Sequence, residues 1–256
     1  MIQVLILHAT GTNRDYDAAW AVEQTGAEAT ILHVNELHRD PARLQDFAML
    51  ILPGGFSYGD ALGAGRLWAL DLRWLFHEQL ASFVASGRPV LGICNGFQAL
   101  VKSGWLPGPP EAGSLATLTR NASNRFECRW VWLEPNSKSP CIFTQGLSEQ
   151  ITCPVAHGEG RFVPRDDGVL SQLTQRNQIA LKYVAANGGQ ATYPANPNGS
   201  MADIAGICDA QGTMLGLMPH PEDHGMAWQH PRWTRGEWGN LGLQLIANGV
   251  RYAATL

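Results

Sequence analysis

The stretch Pro89-Val90-Leu91-Gly92-Ile93-Cys94-Asn95-Gly96-Phe97-Gln98-Ala99-Leu100 decides how this chain reads. Val90, Leu91 and Ile93 form the short apolar run expected of a buried parallel strand. Gln98, Ala99 and Leu100 are good helix formers, so the chain turns at Cys94 and continues as a helix. Gly92 and Gly96 have no Cβ and let strand and helix close around the turn residue. A Gly-x-Cys-x-Gly turn between strand and helix is the thiol form of a nucleophile elbow. Backbone N–H groups and the helix dipole at that N-terminus favour a thiolate. The same residues also fit a buried structural cysteine, because free cysteine is among the most buried residue types.

Outward from the elbow, the first half of the chain alternates strand and helix signals. Residues 2–7, 29–34 and 48–52 read as strands, residues 15–26 as a helix stopped by Gly26, and residues 62–85 as mostly helical. Residues 53–60 are too glycine-rich to be regular. This alternation predicts an α/β fold with a doubly wound, mostly parallel sheet. Beyond the Pro- and Gly-rich connection at 104–113, residues 126–133, 151–155, 161–163 and 179–184 read as short strands that add antiparallel sheet. Residues 187–200 read as a loop, 205–208 and 213–218 as a hairpin, and 239–248 as a closing helix. Nothing long enough to be a linker divides residues 1–256, which predicts one domain.

Composition narrows the function classes. The 256 residues carry a net charge of -4, which gives no electrostatic case for nucleic acid or an anionic membrane. Five cysteines without a C-x-x-C spacing argue against a disulfide framework and a zinc site, and no metal is expected. The N-terminal apolar run reads as a strand rather than a signal peptide, and residues 89–101 are too few to span a bilayer. A reducing cytoplasm is the expected compartment.

For Cys94 to act as a nucleophile it needs a base, a group that orients the base, and donors for an oxyanion. His220 lies in Leu217-Met218-Pro219-His220-Pro221-Glu222-Asp223. Residues before proline are extended, so His220 and Glu222, two apart, point to one side. That is a Cys94, His220, Glu222 triad, although a solvated Pro-rich turn would look similar. His8, His33, His38, His77, His224 and His230 read as turn or surface residues, while His157 sits in a turn with a possible role. The N–H groups of Asn95 and of the Gly54–Gly55 loop are candidate oxyanion donors, and Gln98 joins them as a candidate substrate-binding residue.

Pro-Gly-Gly at 53–55, Gly-x-Cys-x-Gly at 92–96 and His-Pro-Glu at 220–222 occur in the order seen in class I glutamine amidotransferases, which this chain resembles. Longer motifs sharpen the likeness: Gly55-Phe56-Ser57-Tyr58-Gly59-Asp60, Asn121-Ala122-Ser123-Asn124-Arg125-Phe126, Ala156-His157-Gly158-Glu159-Gly160 and Asn196-Pro197-Asn198-Gly199-Ser200. They are similar to the glutaminase subunits that serve the synthetase amidating formylglycinamide ribonucleotide in purine synthesis. Two stretches depart from the pattern. Thr10-Gly11-Thr12-Asn13-Arg14-Asp15 is a loose match, and Leu62-Gly63-Ala64-Gly65 lacks an arginine usual in the family.

The resemblance implies that Cys94 attacks L-glutamine, with His220 as proton carrier and Glu222 as its orienter. Ammonia would pass to a separate synthetase subunit, joined through a small bridging subunit, where ATP and Mg are used. This chain lacks a Gly-x-x-x-x-Gly-Lys phosphate loop and is expected to bind no cofactor itself. His157, Glu159 and Asn198, with the loops 56–62 and 196–200, are candidates for coupling or partner contact. Two other readings stay open: another cysteine-elbow hydrolase on this scaffold, or a non-catalytic glutamine-binding subunit.

Overall fold

The apolar runs become the centre of a nine-stranded sheet in the computed structural model, which describes residues 1–237 and 239–256. The first half comprises β1 (Gln3–His8), α1 (Asp15–Glu23), β2 (Glu28–His33), α2 (Val34–Arg39), β3 (Met49–Leu52), α3 (Arg66–Leu70), α4 (His77–Ala85), β4 (Val90–Ile93) and α5 (Asn95–Ser103). The second half adds β5 (Ala116–Thr119), β6 (Glu127–Pro135), β7 (Ile151–His157), β8 (Arg161–Pro164), α6 (Asp167–Gln175), β9 (Ile179–Val184), β10 (Ile204–Cys208), β11 (Met214–Leu217) and α7 (Leu243–Ala253).

The sheet order is β2-β1-β3-β4-β11-β10-β9-β6-β7. Strands β2, β1, β3, β4 and β11 are parallel, and β10, β9, β6 and β7 extend them antiparallel. Strands β3 and β4 are buried at every position, so both faces must be covered. Right-handed crossovers achieve this. The step from β1 to β2 runs opposite to the step from β3 to β4, so α1 lies on one face and α3 and α4 on the other. Helix α7 packs with α1, and α5 packs with α3. Every residue of α5 except Lys102 is buried, which makes it the most enclosed helix next to the sheet.

Some elements differ from the sequence reading for identifiable reasons. Residues 62–85 are not one helix: Tyr58, Asp60 and Leu62 have φ of 56°, 53° and 65°, and Gly63 and Gly65 are also left-handed, so no helix can start before Arg66. The closing helix is Leu243–Ala253 rather than 239–248, because Gly239 is left-handed (φ 64°) and Asn240 bridges to Ile151. Strand β8 pairs with β5 in a separate two-stranded sheet instead of joining the main one. Helices α2 and α6 were not anticipated; α6 is started by Asp166, whose carboxylate accepts the Val169 N–H at 2.9 Å.

The elbow glycines are required by contact. A Cβ on Gly96 would overlap the Leu52 carbonyl oxygen of β3, and one on Gly92 would lie 2.6 Å from Leu100 Cδ1. Gly96→Ala should therefore push α5 off β3 and cost about 1–3 kcal/mol, read from urea unfolding. A wild-type unfolding midpoint would show that the helix can retreat without loss.

Candidate active site

The sheet register brings the catalytic candidates together. Strand β11 pairs with β4 so that Leu217 lies opposite Ile93, and Cys94 N–H donates to the Leu217 carbonyl at 2.8 Å. The residues that follow the two strands therefore emerge side by side. Cys94 has φ 48° and ψ -100°, a sparsely populated geometry for a side-chain-bearing residue, and it is held there by β4 before it and α5 after it. Asn95 opens α5, so its N–H has no intrahelical acceptor and is free for an oxyanion.

His220 and Glu222 are enclosed, at 3% and 0% exposure. His220 Nδ1 lies 2.7 Å from Glu222 Oε1, and the His220 N–H donates to the Pro154 carbonyl at 2.9 Å. Nε2 makes no hydrogen bond, and the Cys94 sulfur is close enough to act on the ring. Burial alone would lower the imidazole pKa, but Glu222 and Cys94 outweigh it and hold the ring well above its ordinary value. An imidazolium between sulfur and carboxylate can give up a proton and take one back.

The Pro-Gly-Gly loop serves this triad by contact. A Cβ on Gly54 would sit 2.6 Å from His220 Cε1, so only glycine lets the loop lie on the ring. Gly55 (φ 141°) bridges Thr12 of the N-terminal turn, where a Cβ would meet the Asn13 nitrogen at 2.6 Å. Gly55, Cys94, Gln98, His157 and Glu159 line a small cavity of about 170 Å3, together with Asp60 from the 56–62 loop and Phe126, to which sequence reasoning gave no role.

The amide side chains near the nucleophile are committed to building this cavity. Asn95 Oδ1 accepts the Ser57 N–H at 3.0 Å, and its Nδ2 donates to Gln98 Oε1 at 2.9 Å and Asp60 Oδ1 at 3.2 Å. Gln98 Nε2 donates to the Glu159 carbonyl at 2.7 Å. Gln98 thus ties α5 to the turn after β7. Asn121, also missed, donates to the His157 carbonyl at 2.8 Å and accepts the Gly160 N–H at 2.9 Å, which closes that turn.

Asn198 is fully buried and His157 is 3% exposed, so neither can touch a partner directly. They form the wall instead. Ser200 N–H donates to Asn198 Oδ1 at 3.0 Å, which fixes the amide and turns its Nδ2 to Tyr183 Oη (3.1 Å) and His157 Nε2 (3.4 Å). His157 Nε2 must then accept, and the network places the ring proton on Nδ1. Burial, with the charge on His220, pushes the His157 pKa down to about 4.

Further corrections concern the remaining histidines and the N-terminal turn. His224 and His230 are buried, not superficial: their rings pack against Trp130 at 4.9 and 4.4 Å, and His224 Nδ1 donates to the Thr152 carbonyl at 2.6 Å. Arg14, in the loosely matching turn, reaches Asp223 Oδ1 at 3.5 Å. Burial and the neighbouring Glu222 push the Asp223 pKa up to about 6. His220, Glu222 and Asp223 bring ligand-type atoms within 4.8 Å of one another. Glu222 is engaged by the imidazole, and Arg14 stands at Asp223.

The neutral state of His157 has a pH signature. Its folded pKa of about 4 lies below the ordinary 6.5, so the folded form binds fewer protons than the unfolded chain between those values. Stability should be intact above pH 6.5 and fall by up to about 3 kcal/mol as pH drops through that window. The difference in unfolding free energy between wild type and His157→Asn should narrow from pH 7 to pH 4. A constant difference would mean that the ring is not held neutral.

Comparison with known proteins agrees with this geometry. Residues 1–253 match the model of the CobB/CobQ-like glutamine amidotransferase domain. The chain is 48% identical over 269 residues to phosphoribosylformylglycinamidine synthase subunit PurQ of Treponema denticola, covering 98% of each. It is 45% identical over 256 residues to the same subunit of Dehalococcoides mccartyi, again covering 98% of each. The solved structure of PurLQS from Thermotoga maritima matches with a TM-score of 0.74 at 30% identity over 98% of both chains. A glutamine amidotransferase structure from Thermotoga maritima, at 19% identity and a TM-score of 0.51 over 92% of this chain and 81% of that one, shares the fold. With a thiol, an imidazole and a carboxylate in relay on this scaffold, the chain belongs to the CobB/CobQ-like glutamine amidotransferase family, in its PurQ branch.

Proposed function

We propose that this chain is the glutaminase subunit of a phosphoribosylformylglycinamidine synthase, hydrolysing L-glutamine to glutamate and ammonia. The observation that carries the reading is the enclosed His220, 2.7 Å from Glu222 on one side and acted on by the Cys94 sulfur on the other. The sulfur attacks the side-chain amide carbon of glutamine. The oxygen's developing charge falls to the N–H groups of Gly55 and Asn95, each worth about 3–4 kcal/mol in the barrier. His220 protonates the leaving nitrogen, the C–N bond breaks, and a γ-glutamyl thioester remains on Cys94. His220 then takes a proton from water, which attacks the thioester; glutamate leaves and the sulfur is restored. Glu222 holds Nδ1–H throughout, so Nε2 is always the nitrogen that faces the chemistry.

Ammonia passes to a synthetase subunit, where ATP and Mg activate formylglycinamide ribonucleotide for amidation, with a small bridging subunit completing the complex. The reading places this complex in the cytoplasm. Consistent with that, all five cysteines are free, and among the described residues no helix is long and apolar enough to cross a membrane.

Cys94→Ala should abolish glutamine-dependent product formation by the assembled complex and leave ammonia-dependent formation within twofold of wild type. A glutamine-mimicking electrophile should label Cys94, and excess glutamine should protect it. Cys141 and Cys153 are buried thiols whose pKa burial pushes up, so they should stay unlabelled. Cys128 is exposed and serves as the reference that glutamine does not protect. Glutamine-protected labelling at any position other than Cys94 would overturn the assignment.

A further inference from the structure

The loosely matching N-terminal turn and the residue after the relay carboxylate meet in the structure. Arg14 directly precedes α1, and its backbone N–H donates to the Gly54 carbonyl at 3.3 Å. Its side chain runs along the same glycine: a Cβ on Gly54 would lie 2.6 Å from His220 Cε1 and 3.5 Å from Arg14 Cγ. The guanidinium Nη1 then donates to Asp17 Oδ2 at 3.0 Å and to Asp223 Oδ1 at 3.5 Å. Resting on the glutaminase reading, we propose that Arg14 and Asp223 are a positioning pair for that reaction. They tie the oxyanion loop to the carboxylate end of the relay, and full rate requires the negative charge on Asp223.

The first support is mechanical. The oxyanion donor of Gly55 is useful only if the loop that carries it stays fixed relative to the sulfur and the imidazole. Two backbone contacts hold that loop to the N-terminal turn: the bridge between Thr12 and Gly55, and the bond from Arg14 to Gly54. The Arg14 side chain carries the connection onward to Asp223, the residue that follows Glu222. Oxyanion loop, imidazole and carboxylate are thereby braced against one half-buried arginine. The charge on Glu222 also acts on that guanidinium.

The second support is electrostatic. Glu222 is fully buried; Oε1 meets the imidazole, and among the described residues Oε2 has no hydrogen-bond partner. Polar atoms of His220, Glu222 and Asp223 lie within 4.8 Å of one another. The groups that face Asp223 are Glu222 and His220 from its own turn, Arg14 and Asp17 from the start of α1, and the Cys153 thiol of β7. Burial and Glu222 push its pKa up, to about 6, while His220 and Arg14 pull the other way. An ionised Asp223 stabilises the imidazolium that forms when His220 takes a proton from water. A protonated Asp223 withdraws that support. It also offers an O–H to the carboxylate whose Oε2 is bare, which draws charge away from the bond to Nδ1.

The test uses the assembled complex. Glutamine-dependent kcat and KM are measured from pH 5 to pH 9, with ammonia-dependent amidation as the reference for the synthetase. Wild-type kcat should rise through a limb centred near pH 6. Asp223→Asn keeps the shape of the side chain and removes its charge. It should lower kcat about five- to twentyfold at pH 8 and flatten the limb, with KM held within about twofold. Arg14→Gln should move the limb upward by about half a pH unit to one unit, because the carboxyl loses a cation that favours its charged form. Arg14→Lys should return the limb most of the way. Ammonia-dependent amidation should match wild type in every variant. A merely structural role would lower kcat equally at all pH values and leave the limb in place, which overturns the proposal. Wild-type kcat and limb in Asp223→Asn overturn it too. If Asp223→Asn folds poorly, Arg14→Gln decides alone, and an unmoved limb overturns the pair. Each of these negative results leaves the glutaminase reading standing. A wild-type complex with no glutamine-dependent turnover overturns both.

Discussion

The parallel pairing of β4 with β11 is the constraint on which the site depends. Their register sets Ile93 opposite Leu217, and a backbone hydrogen bond from Cys94 to Leu217 extends the ladder by one step. Residues more than a hundred positions apart thus leave the sheet at the same height. A slip of one residue would turn the alternating side chains over and send the sulfur and the imidazole to opposite faces. The register is itself held by the glycines on both strands. A Cβ on Gly216 would run into the Phe97 ring, and one on Gly92 into Leu100, so the pair can be this close to α5 only at glycine.

Around that pairing the protein has enclosed several side-chain amides, and each of them is met by hydrogen bonds. An unpaired buried amide costs roughly 1–3 kcal/mol, so the amides of Asn95, Gln98, Asn121 and Asn198 are positioned as much by the need for partners as by packing. Their bonds reach from α5 to the loop before α3, from α5 to the turn after β7, and from that turn to the 196–200 loop. Rigidity at the site follows, because no one of these loops can move without stranding a polar atom in the next.

The sequence made the parallel half legible because its strands are apolar on both faces and its glycines mark close approaches. The closeness of His220 to Glu222 could be read as well, although a 3-10 turn at Pro221–His224 after the extended His220 makes it, not an extended spacing, and the elbow has few alternatives. The role of the 121–125, 156–160 and 196–200 motifs was not legible. Each looks like a polar loop, and only long-range hydrogen bonds reveal that they form one wall. The burial of His224 and His230 was hidden for a similar reason, since the ring they pack on, Trp130, lies more than ninety positions away in the chain. Helix limits failed where left-handed residues without glycine intervened, as at Asp60 and Leu62, because no local rule places a leucine there.

The site also contains a second imidazole, and the protein must keep it from competing as the base. His157 and His220 are close enough for the charge on one to act on the other, yet their environments drive them apart. His220 gains a carboxylate at 2.7 Å and holds its proton far above the ordinary range. His157 meets an amide N–H at Nε2, and burial, together with the charge on His220, outweighs Glu127 and pushes the ring down to about 4. Each ring's state reinforces the other's: a charged His220 makes protonation of His157 harder, and a neutral His157 removes a repulsion that would weaken His220. Environments that push two titratable groups apart assign their roles. Here the assignment rests on Ser200, whose N–H orients the Asn198 amide and through it fixes which nitrogen of His157 carries the proton.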